Sequence, residues 1–109
     1  MLNITMRTRG VTLTPEEDGA IRKRVWFALD RFAPKISAVE VRLEDLNGPR
    51  GGTDKECQIT ALLRDGPSIC VADRDSRTKA AARRACERVR AGIRRLVAVR
   101  RSRETVREG

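Results

Sequence analysis

Basic residues are concentrated in the last third of this sequence. Between Arg74 and Arg103 there are twelve Lys and Arg residues, and the only acids there are Asp75 and Glu87, so the segment has a net charge of +10. The rest of the chain holds twelve basic and thirteen acidic residues, and the whole carries +9. The planar guanidinium group of arginine can bind two phosphate oxygens at once. The segment therefore predicts binding to a polyanion, with nucleic acid favoured over an anionic membrane.

Two rows of basic side chains appear when this segment is drawn as a helix with about 100° per residue. One row lies within roughly 40° and consists of Arg77, Arg84, Arg88 and Arg95. The other borders the opposite side of the apolar stripe and consists of Lys79, Arg83, Arg90 and Arg94. Like charges four residues apart repel, and within this helix only Glu87 is available to pair with them. The rows therefore predict contact with RNA or DNA phosphates, and a merely solvated basic face is the alternative.

The first predicted helix carries a weaker version of the same signal in Arg22, Lys23 and Arg24. The adjacent Trp26 and Phe27 could stack on bases, as aromatic residues of single-strand binders do. Their position beside Val25 favours instead packing against the sheet or the second helix. A membrane-surface helix is disfavoured, because the apolar face of the second helix is rich in alanine and lacks bulky anchors.

The sequence offers few residues that could support catalysis or bind a metal. The chain has no histidine, which excludes hydrolytic triads of the Ser-His-Asp or Cys-His type, and helix starts and exposed strand faces account for its carboxylates. Cys57, Cys70 and Cys86 are an odd number with no Cys-x-x-Cys pair, so they predict reduced thiols in the core. We expect no enzymatic activity, no metal, no cofactor and no small-molecule substrate.

The length of 109 residues suits one domain, which we place at residues 1–99, followed by a basic disordered tail at residues 100–109. No signal peptide is visible in the sequence, and no apolar run approaches the roughly 18 residues that a membrane span needs. We therefore expect a cytoplasmic, monomeric protein without a membrane partner.

Alternating apolar residues predict four strands, and helical spacing predicts two helices. Strands are expected after Met1 up to Gly10, at Ile36–Asp45, at Cys57–Arg64 and near Ser68–Ala72. In the last of these, Ile69 and Val71 compete with Cys70 and Ala72 for the inner face. Leu46–Lys55 predicts a mobile loop, and Asp65-Gly66 predicts a hairpin turn.

The first helix is predicted to begin at Thr14-Pro15-Glu16-Glu17, a capping box, and to end before Pro34. Its apolar stripe consists of Ile21, Val25, Ala28, Leu29 and Phe32. The second is predicted to begin after a cap at Asp75 or Ser76 and to end near Val99. Its stripe consists of Ala82, Ala85, Cys86, Val89, Ile93 and Leu96. The order β-α-β-β-β-α predicts an α+β fold in which both helices pack on one face of a four-stranded, antiparallel or mixed sheet.

Several segments in this order resemble the ribosome hibernation promoting factors, also called ribosome-associated inhibitor A or sigma modulation proteins. The matching segments are Leu2-Asn3-Ile4-Thr5, Val11-Thr12-Leu13-Thr14, Ile21-Arg22, Val39-Glu40-Val41-Arg42-Leu43, Gly52-Thr53-Asp54-Lys55-Glu56-Cys57-Gln58-Ile59 and the helix after Asp75. The resemblance covers about residues 1–96. It implies a fold similar to a double-stranded-RNA-binding domain with an added strand. The second helix departs from the family's usual Tyr-Ala-Ala-Ile-Asp-like start, so the alignment there is uncertain by a residue or two.

The resemblance implies binding in the tRNA and mRNA channel of the small ribosomal subunit, which holds ribosomes inactive under stress. Carried over, ribosomal RNA would contact Arg22, Lys23, Lys79, Arg83, Arg84 and Arg88, and the helix rows add Arg77, Arg94 and Arg95. The resemblance is to the short forms, without the C-terminal dimerisation domain of the long forms, so we expect ribosome pairing to need another factor. A general double-stranded RNA or DNA binder stays open as the alternative function.

Overall fold

The computed structural model describes residues 2–46 and 54–108, with side chains up to Val99. Its elements are β1 (Ile4–Arg9), α1 (Pro15–Leu29), a 3-10 helix (Asp30–Lys35), β2 (Ile36–Asp45), β3 (Lys55–Leu63), β4 (Ser68–Asp75) and α2 (Thr78–Glu108). The predicted α+β fold with β-α-β-β-β-α order is confirmed. The predicted loop Leu46–Lys55 falls mostly on residues 47–53, which lie outside the described residues.

The four strands form one mixed sheet in the order β1-β2-β3-β4. β1 runs parallel to β2, with Ile4 opposite Val39, and the other two pairs are antiparallel. The parallel pair needs a crossover connection, which α1 and the 3-10 helix provide. Gly10, with φ of 71°, follows β1, and Gly66, with φ of 118°, lies in the turn before β4. Both glycines adopt backbone conformations that side chains disfavour, which agrees with the predicted ends of these strands.

The register of β4, which the sequence leaves open, places Ile69 opposite Ala61 and Val71 opposite Ile59. Ile69 and Val71 thus face the core, and Cys70 is exposed on the other side of the sheet. The prediction that all three cysteines face the core is wrong for Cys70, because side chains alternate along a strand. The strand also continues past the predicted end at Ala72, as far as Asp75.

One core fills the space between the sheet and the two helices. From α1 it receives Ile21, Val25 and Leu29, and from α2 it receives Ala81, Ala82, Ala85, Cys86, Val89 and Ile93. Ala28, Phe32 and Leu96 pack against it as partly buried residues. The small residues of α2 allow its backbone to lie close to β3 and β4, and the two predicted apolar stripes are confirmed. Among the described residues, no helix is both long and apolar enough to cross a membrane.

The start of α1 is the predicted capping box. The Thr14 side chain accepts a hydrogen bond from the Glu17 backbone N–H, and the Thr14 backbone N–H donates one to Glu17 Oε1, both at 3.1 Å. These bonds satisfy backbone donors that a helix start leaves free. The α-helix ends at Leu29, earlier than predicted, and the 3-10 helix that contains Pro34 continues the chain to β2.

Of the two capping candidates before α2, Asp75 binds the backbone of the residue that precedes the helix, Arg77, and not a backbone N–H of the helix itself. Its Oδ1 accepts a hydrogen bond from the Arg77 backbone N–H at 3.0 Å. The helix then continues to Glu108, so the end predicted near Val99 is wrong, and the segment predicted as a disordered tail is helical. Arg and Glu are good helix formers, and a helix can therefore continue without an apolar stripe.

Candidate nucleic-acid interface

A groove of about 430 Å³ runs between α1 and α2 on the outer side of the helical layer. Its walls include four cationic residues, Lys23 and Arg24 from α1 and Arg83 and Arg90 from α2, and one acid, Glu87. The helices bring these side chains together because each presents its buried stripe to the sheet and its adjacent face to the other helix. The groove is therefore strongly basic.

The cations of the groove have no anionic partner in the described part of the chain. Neither Arg83 nor Arg90 forms an ion pair there, and the same holds for Lys23 and Arg24. On their helices all four are exposed to solvent. Four positive groups held close together, unpaired and beside a single carboxylate, Glu87, are suited to bind a phosphate backbone.

Lys79, in the first turn of α2, lies near the N-terminal end of α1. The hydrogen bond from the Thr14 backbone N–H lowers the pKa of Glu17, and the charge of Lys79 lowers it further by a smaller amount. An electrostatic influence of this kind requires that the first turn of α2 be near the first turn of α1. Lys79 thus extends the basic surface beyond the groove toward the starts of both helices.

Two aromatic residues lie beside the groove, and they are exposed. Phe27 is 65% exposed and lines the groove, and Trp26 is 39% exposed. Their rings meet edge to face with centroids 5.2 Å apart, and Lys23 Nζ lies 5.8 Å from the Phe27 centroid. The prediction that both residues pack against the sheet or the second helix is wrong. On a helix wheel Phe27 lies about 200° from Val25, on the side away from the buried stripe.

The other predicted arginine row of α2 has internal partners on β4. Arg84 Nη2 lies 3.2 Å from Asp75 Oδ2, and Arg84 Nη1 donates a hydrogen bond to the Arg74 carbonyl at 3.2 Å. Arg88, one turn further along α2, makes the same two kinds of contact. Its Nη1 lies 3.8 Å from Asp73 Oδ2 and donates a hydrogen bond to the Ala72 carbonyl.

These contacts come from outside α2, within which Glu87 was the only acid predicted to be available for pairing. Asp73 and Asp75 continue the two-residue spacing of Ile69 and Val71, so all four side chains lie on the face of β4 towards α2. The backbone N–H of Arg77 lowers the pKa of the Asp75 carboxyl, and the charge of Arg84 adds to this effect. Both arginines remain half-exposed, so they combine a structural contact with access to solvent.

Arg22, a third predicted contact, ties α1 to β1. Its Nε lies 2.6 Å from Asp18 Oδ1, and its Nη1 donates a hydrogen bond to the Ile4 carbonyl at 2.9 Å. Because its guanidinium group is already bound at two positions, Arg22 is less available to a ligand than the neighbouring Lys23. Of the remaining predicted residues, Arg77 is exposed just before α2, and Arg94 and Arg95 are exposed along it.

The structure thus separates the predicted residues into two groups. Lys23 and Arg83 come together in the groove, whereas Arg84, Arg88 and Arg22 bind carboxylates and carbonyls of the sheet or of α1. Two groove residues, Arg24 and Arg90, belong to the basic clusters noted in the sequence but were not among the residues predicted to contact ribosomal RNA. Arg90 belongs to the same helix row as Arg83, and this spacing was the signal that could have selected it.

Comparison with known proteins places the chain in a family. The sequence profile described as "Sigma 54 modulation protein / S30EA ribosomal protein" matches residues 4–101. A search among curated proteins gives no significant match.

Two solved structures have a similar fold. One is the N-terminal domain of Thermus thermophilus Protein Y, with a TM-score of 0.70 and 20% identity over 86% of this chain and 98% of that one. The other is a ribosomal subunit interface protein from Coxiella burnetii, with a TM-score of 0.68 and 18% identity over 90% of this chain and 99% of that one. These likenesses agree with the predicted resemblance, and the profile covers most of the sequence. The chain belongs to the sigma 54 modulation protein / S30EA ribosomal protein family.

Proposed function

We propose that this protein is a translation inhibitor that binds ribosomal RNA in the tRNA and mRNA channel of the small ribosomal subunit and keeps ribosomes inactive under stress. The observation that carries the proposal is the groove between α1 and α2, where Lys23, Arg24, Arg83 and Arg90 lie together without ion-pair partners in the described residues. Family membership supports the ribosome as the source of the phosphates, and one protein of similar fold is a ribosomal subunit interface protein.

The remaining predicted residues would act at the margins of this surface. Lys79, Arg94 and the groove arginines occupy one row of α2, so an RNA strand following the groove would meet them in succession. Arg77, Arg84, Arg88 and Arg95 form the second row, and Arg22 lies on α1. For Arg84 and Arg88, a phosphate would compete with Asp75 and Asp73, so their net contribution to binding is smaller than that of Arg83 and Arg90.

The test is cosedimentation of the purified protein with separated small and large ribosomal subunits at several salt concentrations, beside an in vitro translation assay. We expect the protein to pellet with the small subunit and to inhibit translation. Arg83→Ala combined with Arg90→Ala should weaken both effects. It should also reduce the slope of log affinity against log salt by roughly 0.7 to 0.9 for each lost phosphate contact.

The matched control removes two positive charges from other surfaces. Arg42 lies on the exposed face of the sheet and Arg64 lies in the turn after β3. Arg42→Ala combined with Arg64→Ala should leave subunit binding and its salt dependence nearly unchanged. Equal loss in both double variants would mean that net charge alone drives binding. Equal competition by an unrelated RNA duplex would favour a general nucleic-acid binder without ribosome specificity.

A further inference from the structure

Phe27 is unusual because it is a large apolar side chain with 65% of its surface exposed, in the wall of a groove lined by four cations. A phenylalanine this exposed is not part of the core, and a phosphate-binding groove does not require an aromatic ring. The combination of an accessible ring with surrounding cations is, however, what single-stranded nucleic-acid sites use. There, bases stack on the ring, and the cations bind the phosphates on either side.

We propose that the groove between α1 and α2 binds an unpaired nucleotide, with the base stacked on Phe27 and the flanking phosphates held by Arg24, Arg83 and Arg90. The inference rests on the proposed function, which identifies the ribosome as the source of the RNA. It adds that the bound nucleotide is unpaired. The groove therefore selects single-stranded or looped RNA over a continuous duplex.

The dimensions and contacts of the groove fit this ligand. Its volume of about 430 Å³ falls within the range of sites that hold small molecules or single nucleotides. Lys23 Nζ, 5.8 Å from the Phe27 centroid, belongs to a flexible side chain that a base can displace toward its own phosphate. Arg83 and Arg90 lie two turns apart on α2, on the opposite wall from Lys23 and Phe27. Both walls of the groove that contains the Phe27 ring therefore carry cations.

A paired RNA helix fits these features less well. In a duplex the bases are stacked on one another, and proteins recognise its shape, phosphates and 2′-hydroxyl groups. Phe27 would then have no base to contact, and its exposed ring would lie against polar sugars and phosphates. The ring therefore favours an unpaired nucleotide over the duplex that the likeness to double-stranded-RNA-binding domains would predict.

The chain contains its own fluorescent reporter of stacking. Trp26 is the only tryptophan in the sequence, and its ring centroid is 5.2 Å from that of Phe27. A base stacked on Phe27 would lie close enough to change Trp26 emission. Titration of the full chain with a ten-nucleotide single-stranded RNA should therefore change this emission, whereas a duplex of the same length should bind more weakly with little change.

The key variant is Phe27→Leu, which keeps an apolar side chain but removes the aromatic face. It should raise the Kd for the single strand on the order of tenfold, whereas Phe27→Tyr should keep the affinity near that of the unaltered chain. Leu62→Ala is the matched control, since Leu62 is an exposed apolar residue on the sheet, away from the groove. It should have no effect. Circular dichroism of each variant checks that it is folded.

Four outcomes would overturn the proposal: no binding of the single strand at low salt, unchanged affinity in Phe27→Leu, equal or tighter binding of the duplex, or a Trp26 response to anionic lipid vesicles in place of RNA. Failure of the ribosome proposal would have a different signature. In that case the single strand would still bind through Phe27, but the protein would not pellet with the small subunit. If instead the protein pellets with the subunit and Phe27→Leu binds as tightly as the unaltered chain, only the nucleotide inference is wrong.

Discussion

Arg84 of α2 and Asp75 of β4 form an ion pair with 3.2 Å between Nη2 and Oδ2. One turn later, Arg88 meets Asp73 in the same way. The basic face of α2 is therefore divided between a row that holds the helix against the sheet and a row that opens into the groove. This division predicts that arginines on the same helix have different roles, although their number and spacing in the sequence are alike.

The first prediction compares two double variants of α2 that each remove two positive charges. Arg84→Ala with Arg88→Ala should lower the melting temperature by roughly 5 °C, because ion pairs and hydrogen bonds to β4 are lost. Arg83→Ala with Arg90→Ala should leave it nearly unchanged but weaken subunit binding more. Thermal denaturation beside cosedimentation measures both effects. Equal melting temperatures in the two variants would contradict the structural role of Arg84 and Arg88.

The second prediction concerns the carboxylates that hold those arginines. Asp73→Asn with Asp75→Asn keeps the size of both side chains and removes their charge, so Arg84 and Arg88 become available to phosphate. We expect lower thermal stability together with tighter binding and a steeper salt dependence. Glu40→Gln with Glu44→Gln is the control, because it removes the same charge from carboxylates that pair with Arg7 and Arg9 on the other half of the sheet. If that control tightens binding equally, release of Arg84 and Arg88 is not the cause.

The third prediction tests the contact between α2 and the sheet. Ala85 is completely buried, so Ala85→Arg forces a charge into the core and should cost about 3 kcal/mol or more of unfolding free energy. Ala91 is exposed on the same helix, and Ala91→Arg should fold normally. Chemical denaturation of both variants makes the comparison. Similar stability of the two would mean that this face of α2 is not packed as described.

The fourth prediction concerns thiol reactivity. Cys57 and Cys86 are buried in the core, whereas Cys70 is exposed on the sheet, where its Sγ lies 3.0 Å from Gln58 Nε2. Iodoacetamide should therefore label the native protein once, at Cys70, and the denatured protein at all three cysteines. Mass spectrometry gives the count. Native Cys70→Ser should remain unlabelled, and rapid labelling of Cys57 or Cys86 would show that the core opens readily.

The fifth prediction follows from the same buried thiols. Burial raises the pKa of Cys57 to about 12 and that of Cys86 to about 11. Since a thiol in the unfolded chain ionises near its ordinary value of 9.0, the unfolded state loses protons first. Stability should therefore be unaffected by these groups below pH 9 and should fall from there toward pH 12, by up to about 1.4 kcal/mol per pH unit for each thiol.

The comparison for this effect is Cys57→Ala with Cys86→Ala, measured by denaturation between pH 8 and 11. The double variant should start from a lower stability but lose less of it as the pH rises. The sequence contains no tyrosine, and the variant differs from the unaltered chain only in these two thiols, so a difference between the two pH profiles belongs to Cys57 and Cys86. Equal losses in both proteins would contradict the assignment to the thiols.

Local signals in the sequence predicted much of the fold. Thr14 and Glu17 predicted the start of α1 because a capping box depends on residues three positions apart. The alternation along Val39, Val41 and Leu43 predicted a strand with one buried face, and the structure confirms it. Such patterns are sufficient to predict a helix or strand whose stability depends on residues close in the sequence and on one buried face.

The functional surface was predicted less completely, because it depends on how the elements pack. The partners of Arg84 and Arg88 follow from the register and length of β4, which the competing residues Ile69 and Cys70 left open. The exposure of Phe27 was visible on a helix wheel, but its nearness to Val25 in the sequence suggested burial. The groove itself exists only because α1 and α2 lie side by side, and no single helix pattern contains that information.

The bonds from Arg88 to the Ala72 carbonyl and from Arg84 to the Arg74 carbonyl also affect how the protein behaves towards other copies of itself. β4 is the last strand of the sheet, and an open edge strand presents backbone groups to which a strand of another chain can pair. Here two carbonyls of that edge are already bound by guanidinium groups, whose charges also repel a second copy. Intermolecular sheet extension through β4 would have to displace both arginines, so this edge is protected against aggregation.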